Sequence, residues 1–223
     1  MQAAAKQMLH PKYSMGYEWN SKRGADDMPL VRTLRTLLTN NIPNILPGIH
    51  IGVEKLLDRI YHALPNRNQN ARHAPIFETV IQTVAYSNAV ALFGPDLAEN
   101  KMFMKSAIKF VHDTVIIAEV IRLVPVWMAP LIGKILAATF SSHKILYSTL
   151  LQTTLARAEE RSRKQGEDTA PKHKDCLLWL METGPTWTLE RTTHELMALW
   201  FGTVHIVTTT TYFAIHDLCL HPE

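Results

Sequence analysis

The stretch with the clearest chemical character is GTVHIVTTTT, residues 202–211, where polar side chains interrupt an apolar run. A threonine in a helix donates its hydroxyl to the carbonyl one turn back, which satisfies the hydroxyl but loosens the main-chain ladder. A glycine removes side-chain bulk and lets a large group approach the backbone. The pattern indicates a deformable helix that contacts a flat ligand, whereas composition alone favours the alternative that these threonines pack in an ordinary core.

The motifs of other common catalytic and metal sites are not present in the sequence with the spacing that they require. The sequence HELMA at 194–198 begins like the zinc-protease motif HExxH, but Ala198 stands where the second histidine ligand is required. The sequence has no glycine-rich phosphate loop and no nucleophile elbow. Cys176 and Cys219 form no CxxC pair, and we expect both to be buried as small hydrophobic side chains.

Composition places the chain among globular proteins and gives no reason to expect a nucleic-acid partner. Hydrophobic residues make up 47% of its 223 residues, and 23 basic residues against 20 acidic ones leave a net charge of +3. A nucleic-acid-binding surface needs clustered Lys and Arg, which this balance does not provide.

Helical periodicity dominates, so we predict an all-α fold of roughly seven or eight helices. Pro43 and Pro47 are expected to interrupt the helical pattern that surrounds them. A further helix is predicted to run from Lys101 to Leu123.

The longest predicted helix, Leu189–Leu220, has no proline and would span about 48 Å. Its segment Leu196–His216 contains no Asp, Glu, Lys or Arg, so we expect the helix to be buried on all sides. A β-strand is the first alternative, because the threonines and valines favour extended structure locally. A membrane span is the second, since the segment is long enough, although its hydroxyls and histidines make it polar for that role.

Several stretches, taken together, resemble the cytochrome P-450 superfamily of heme-thiolate monooxygenases. The similarity is to fungal microsomal members that oxidise terpenoids and other secondary metabolites, and it lies in LLTNNIPNILPGI, SNAVALFGPDLAENKMFMKSAIKF, AEVIRLVPVWMAPLIGKIL and ELMALWFGTVH. The terminal stretch, ending in His-Pro-Glu, looks like the long distal helix that crosses the heme face in that family. The resemblance covers residues 13–223 and implies the central portion of the P-450 fold in one domain, 1–223, with the other helices packed on the distal helix.

The resemblance also assigns roles on the distal helix. Gly202 and Thr203 take the positions that approach the heme and the oxygen, so Thr203 and His205 are the catalytic candidates. His205 stands where the family usually has a carboxylate, and Ile206 stands in the place of the usual threonine. Isoleucine cannot deliver protons, so water or a hydroxyl such as that of Thr203 or Thr209 would have to do so.

Residues further from the oxygen are assigned in the same way. Phe201 and Val204 are implied as walls of the substrate pocket, and the alternative, which is the commoner role for such residues, is that each packs in the core. Arg35 resembles the helix residue that pairs with a heme propionate, where a guanidinium suits a carboxylate. The alternatives are that Arg35 lies on the surface or that Arg32 takes this role.

The thiolate ligand of the family lies in a glycine-containing loop beyond the distal helix. Neither Cys176 nor Cys219 has that context, so we expect no metal ligand in this chain. The family's Glu-x-x-Arg helix, its membrane anchor and its first sheet also have no counterpart here. We therefore expect a fragment, a partial gene model or a degenerate copy that is inactive alone.

The resemblance implies a heme-dependent monooxygenase of small apolar molecules that draws electrons from NADPH through a flavoprotein reductase. A full-length member is expected at the cytosolic face of the endoplasmic reticulum membrane, and a chain without the anchor in the cytoplasm. Two alternatives stay open, a non-catalytic helical remnant or binding protein and a tail-anchored membrane protein.

Overall fold

The computed structural model describes residues 11–17, 29–64, 66–68, 71–72, 74–164, 175–184 and 187–221, so Pro222 and Glu223 of the terminal His-Pro-Glu lie outside it. The described helices are α1 (Pro11–Ser14), α2 (Pro29–Arg32), α3 (Thr39–Ala63), α4 (Ile76–Phe93), α5 (Pro95–Ala98), α6 (Lys101–Leu123), α7 (Ala129–Thr139), α8 (Ser142–Lys164), α9 (Cys176–Thr183) and α10 (Leu189–Leu220). A π-helical turn, Thr33–Leu38, joins α2 to α3, and strands β1 (Asn66–Asn68) and β2 (Ala71–Arg72) pair antiparallel. The all-α prediction is confirmed, with seven of the described helices eight residues or longer.

Side-chain caps and one glycine set the ends of the central helices. Asn100 begins α6 by accepting hydrogen bonds from two main-chain N–H groups of the first turn, at 3.0 and 3.1 Å. Asp175 and Thr188 cap α9 and α10 in the same way. Gly94 ends α4 with a φ of 89°, a conformation that side-chain-bearing residues rarely adopt.

The predicted interruption at Pro43 and Pro47 is wrong, because α3 runs through both of them from Thr39 to Ala63. Each proline removes one main-chain hydrogen bond from the helix. The helix packs against α4 and against the π-helical turn. We attribute the continuity of α3 to these tertiary contacts, because they outweigh the cost of the hydrogen bonds lost at the two prolines.

The core is built mainly from the buried faces of α4, α6, α8, α9 and α10. The long helix α10 packs mainly against α4 and α8, and α6 packs against α8. The largest fully buried side chains come from all of these elements and α9: Phe93, Phe110, Ile117, Leu146, Leu150, Leu177, Leu180, Leu196, Met197 and Trp200. This arrangement confirms that the helices are assembled on the long distal helix.

The helical course of Leu189–Leu220 is confirmed and the strand alternative is wrong, but the expectation of burial on all sides is also wrong. Ile206, Phe213 and Leu218 are 64%, 61% and 71% exposed. The absence of charged residues between Leu196 and His216 indicates that this part of α10 suits apolar surroundings. The described residues leave one side of this part uncovered.

Hydropathy within the described residues selects a different helix as long and apolar enough to cross a membrane. That helix is α4, whose Ala85, Ala89 and Phe93 are fully buried in the core. The segment Leu196–His216 does not meet the same criterion. The structure therefore uses α4 as a core helix.

Candidate functional site

The threonine-rich segment of α10 shows the hydroxyl pattern that its sequence predicts. The Thr203 hydroxyl donates to the main-chain oxygen of Leu199 at 2.9 Å, and the Thr209 hydroxyl donates to that of His205 at 2.9 Å. Both hydroxyls are thus held one turn back along the helix, where they weaken the regular ladder. The Thr203 hydroxyl also lies 3.2 Å from the main-chain oxygen of Trp200, so both side chains are held beside the backbone of their own helix.

Thr208 differs from its neighbours. Its side chain is buried, and its hydroxyl oxygen has no hydrogen-bond partner among the described atoms. A buried polar atom without a partner costs about 1–3 kcal/mol, so such an atom calls for a water molecule or another polar group. No local pattern distinguishes Thr208 from the three threonines that follow it.

One side of α10 is open beside Gly202. A Cβ atom added at Gly202 would meet no other atom within 4 Å. Ile206, Thr210 and Phe213 follow at steps of three or four residues on the same side, and all three are exposed. We call this set, Gly202, Ile206, Thr210 and Phe213, the open face.

The opposite side of the same helix faces the core. Phe201 and Val204, the residues assigned to a substrate-pocket wall, are buried among the core side chains. His205 stacks on Phe201, with ring centroids 5.5 Å apart and planes at 10°. The structure therefore places Gly202 and Ile206 on the open face, and Phe201 and Val204 in the core behind it.

Arg35 lies on a separate element. The π-helical turn that carries it packs mainly against α2, α3 and α9, and the Arg35 side chain is exposed. Arg32 ends α2 and is also exposed. Neither arginine is brought to the open face by a main packing contact of its element, and their pairing with a propionate stays a prediction.

The two cysteines differ in a way that their sequence did not reveal. Cys176 is fully buried, as expected. Burial and, to a smaller extent, the nearby Asp175 carboxylate raise the pKa of its thiol to about 12. Cys219 is exposed near the end of α10, so the expectation that it is buried is wrong. Within the described ranges, no group of three or more His, Cys, Asp or Glu side chains is arranged to hold a metal ion.

Sequence reasoning missed an aromatic sandwich at the start of α10. The His194 ring is stacked between Tyr17 and Tyr147, at centroid distances of 4.2 and 4.8 Å. The Tyr17 hydroxyl also donates to the main-chain oxygen of His194 at 2.9 Å. Because Tyr17 is 177 residues away along the chain, no local pattern could have indicated this contact.

Comparison with curated proteins finds fungal monooxygenases. Cytochrome P450 monooxygenase olcJ of Penicillium canescens is 21% identical over 193 residues, which are 85% of this chain and 36% of that protein. Cytochrome P450 monooxygenase AN1598 of Emericella nidulans is 23% identical over 196 residues, covering 86% of this chain and 36% of the relative. Cytochrome P450 monooxygenase ptmP of Penicillium ochrochloron is 22% identical over 167 residues, covering 72% of this chain and 37% of the relative.

These matches support a relationship of this chain to the cytochrome P450 superfamily. The chain spans just over a third of the length of the curated relatives that it matches. No family model matches the chain, and neither does any solved structure. The resemblance seen in the sequence is thus supported by matches that cover 72% to 86% of the chain.

Heme is the cofactor that the similarity to P450 monooxygenases implies, and the described residues fit one of its two sides. The open face is apolar beside Gly202 and leaves space at the backbone, which suits a flat macrocycle. The thiolate side is not matched by the described residues, since a thiol with a pKa of about 12 stays protonated and Cys219 lies on α10 itself.

Proposed function

We propose that this chain forms the oxygen-side wall of the heme pocket of a monooxygenase that inserts one oxygen atom into a small apolar molecule. The single observation that supports this most is the space beside Gly202 on the uncharged side of α10. The names of the three relatives support the reaction class. Heme, when bound, supplies the oxygen-activating chemistry, and the protein supplies the pocket and its orientation.

The residues of this chain would control the access of water to the heme pocket and the transfer of protons within it. Ile206, on the open face, excludes water and cannot transfer a proton. Thr203 and Thr209 keep their hydroxyls near the helix by bonds to Leu199 and His205. We infer that either hydroxyl, or a water molecule bound to it, passes protons on the oxygen side, with His205 next to them on the same helix.

Substrate and partners follow only from the resemblance, and we propose them at that level. The substrate would be a terpenoid or another apolar secondary metabolite, and the electrons would come from NADPH through a flavoprotein reductase. We propose the cytosolic face of the endoplasmic reticulum membrane as the site of action.

A non-catalytic helical protein is the second candidate, and one observation favours it. The position that carries an alcohol in the family is Ile206, whose side chain has no proton to give. A scaffold that has lost oxygen activation would tolerate such a residue.

The two candidates are separated by sequencing the transcript across and beyond codon 223 and expressing its product. The monooxygenase requires a downstream Phe-x-x-Gly-x-x-x-Cys loop and a Glu-x-x-Arg helix. The reduced, carbon monoxide-bound product would then show the Soret band of thiolate-ligated heme, and replacing the cysteine of that loop by serine would remove the band. A transcript without the cysteine loop, or an intact product without the band, would rule the monooxygenase out.

A further inference from the structure

A cavity of about 1100 Å³ lies between α3, α4, α5 and α6, and none of its described lining residues belongs to α10. It is therefore distinct from the open face. Its α3 lining recurs every three or four residues from Asn41 to Arg59, which corresponds to about 27 Å of helix. The cavity is thus elongated, and an elongated ligand suits it.

Apolar side chains from three helices line much of the cavity. On α4, Ile81 and Val90 lie in the wall and are almost completely removed from solvent. Further apolar lining comes from α3 and α6: Ile45, Ile51, Leu56, Met104 and Ile108. Ligand sites are commonly lined in this way, with a few polar groups fixing the orientation.

Two pairs of basic residues line the cavity from different helices. Lys55 and Arg59 are four residues apart on α3, and Lys101 and Lys105 are four residues apart on α6. Like charges at this spacing destabilise a helix slightly, so each pair favours a bound anion. No described acidic side chain forms an ion pair with any of the four.

The acidic residues of the lining do not cancel this charge. Asp96 and Asp175 each lie 3.5 Å from the guanidinium of the buried Arg157. With Arg157 counted, five basic side chains stand against the four carboxylates of the lining, Glu78, Asp96, Glu99 and Asp175. The cavity therefore carries an excess of positive charge beside an apolar wall.

Tyr86 adds a fixed hydrogen-bond donor to the same cavity. A Cβ atom at Gly52 would overlap the Tyr86 hydroxyl, so the tyrosine is seated directly against the backbone of α3. Burial, reinforced by Glu99, raises the pKa of Tyr86, and the hydroxyl keeps its proton at neutral pH. A protonated hydroxyl can donate to an anionic oxygen.

We propose that this cavity binds a single-chain amphiphile with an anionic head group, with a long-chain carboxylate as its simplest form. The apolar chain lies along the α4 wall, and the head group is held by the basic pairs of α3 and α6. A lysophospholipid shares this chemistry with a free fatty acid. The proposal does not depend on the heme-pocket assignment, because the two sites share no described residue.

Calorimetric titration of the 223-residue chain with palmitate, below its critical micelle concentration, tests the proposal. We expect saturable binding with one palmitate per chain. Palmityl alcohol, which has the same chain and no charge, should bind at least about tenfold more weakly, since it makes no charge-assisted contacts. Titration with 1-palmitoyl lysophosphatidate, a second anionic ligand, distinguishes a free fatty acid from a lysophospholipid as the ligand. The one that binds more tightly is the preferred ligand.

Two pairs of variants locate the site. Lys55→Glu with Arg59→Glu should weaken palmitate binding by about tenfold or more, because four units of charge change beside the ligand. Lys134→Glu with Lys144→Glu makes the same change at exposed positions outside the cavity and should leave binding unchanged. Met104→Trp fills the cavity and should reduce binding, whereas Met102→Trp on an exposed part of the same helix should not.

Equal binding of palmitate and palmityl alcohol would overturn the proposal, because the basic pairs would then play no part. Unchanged palmitate binding by the Lys55 and Arg59 double variant would overturn it as well. Both of those side chains are exposed, so this result does not depend on whether the Met104 variant folds.

Discussion

The indole N–H of Trp200 donates a hydrogen bond of 3.0 Å to the main-chain oxygen of Ala107, inside the core. The Trp200 ring also lies 5.4 Å, centroid to centroid, from the ring of Phe93. One side chain thus joins α10 to both α6 and α4, two residues before Gly202. The position of the open face is set by this contact.

Replacing Trp200 by phenylalanine should lower the free energy of unfolding by about 1–3 kcal/mol, through loss of the hydrogen bond and of buried area. Urea unfolding followed by circular dichroism measures the change. Trp127→Phe is the control, since Trp127 is 79% exposed and its replacement should stay within about 0.5 kcal/mol. Similar losses at both positions would show that Trp200 is not the anchor of α10.

Two glycines one turn apart on α3 should respond oppositely to alanine. At Gly48 a Cβ atom meets nothing within 4 Å, so Gly48→Ala should stabilise the protein by about 0.5–1 kcal/mol through helix propensity. At Gly52 the Cβ atom would overlap the Tyr86 hydroxyl, so Gly52→Ala should destabilise it. Urea unfolding of the two variants tests this, and stabilisation by both would mean that α3 does not pack on Tyr86.

The fold was predictable where local pattern and tertiary contact agree. The apolar spacing between Lys101 and Leu123 predicted a helix, and α6 has those limits. The predicted interruption at Pro43 and Pro47 is wrong because it rests on the hydrogen bonds lost at proline and leaves out the contacts that α3 makes with α4. Periodicity describes one segment at a time and cannot report what lies against it.

The site was predictable to a smaller extent for the same reason. Gly202 was singled out by its side-chain size, and the structure does leave space beside it. The sandwich of His194 between Tyr17 and Tyr147 depends on contacts across the whole chain. A lack of charge around Ile206 indicated apolar surroundings but not whether the described helices supply them.

The two thiols should react at very different rates. Cys219 is exposed, whereas burial raises the pKa of the Cys176 thiol to about 12. Because the thiolate is the nucleophile, we expect iodoacetamide at pH 8 to alkylate Cys219 in the native protein and Cys176 only after unfolding. Mass spectrometry of the digested protein identifies the modified residue. Rapid native alkylation of Cys176 in a Cys219→Ser variant would contradict its burial.

Stability should fall in mild acid because of two histidines. Burial lowers the pKa of His194, against the opposing carboxylates of Glu195 and Glu190, and burial likewise lowers that of His143. The folded state then favours neutral rings, and the unfolded state takes up protons more readily below pH about 6.5. The contribution of these neutral rings is complete above that pH and is lost as the pH falls towards their lowered folded pKa values.

Urea unfolding between pH 7.5 and 5 measures this dependence. His194→Gln should flatten it, whereas replacement of the exposed His112 by glutamine should leave it unchanged. An equal slope in all three proteins would show that protonation of His194 is not linked to folding.

Binding of metal-free protoporphyrin IX to the 223-residue chain tests the central claim most directly, since this ligand needs a flat apolar face and no axial ligand. We expect saturable binding that Gly202→Trp weakens by at least about tenfold, because the indole would occupy the open face. Val126→Trp is the control, as that side chain is 90% exposed and lies outside both the open face and the α3–α6 cavity, and it should leave the affinity unchanged. Equal affinity of the Gly202 variant and the unmodified chain would contradict the assignment of this face to the heme.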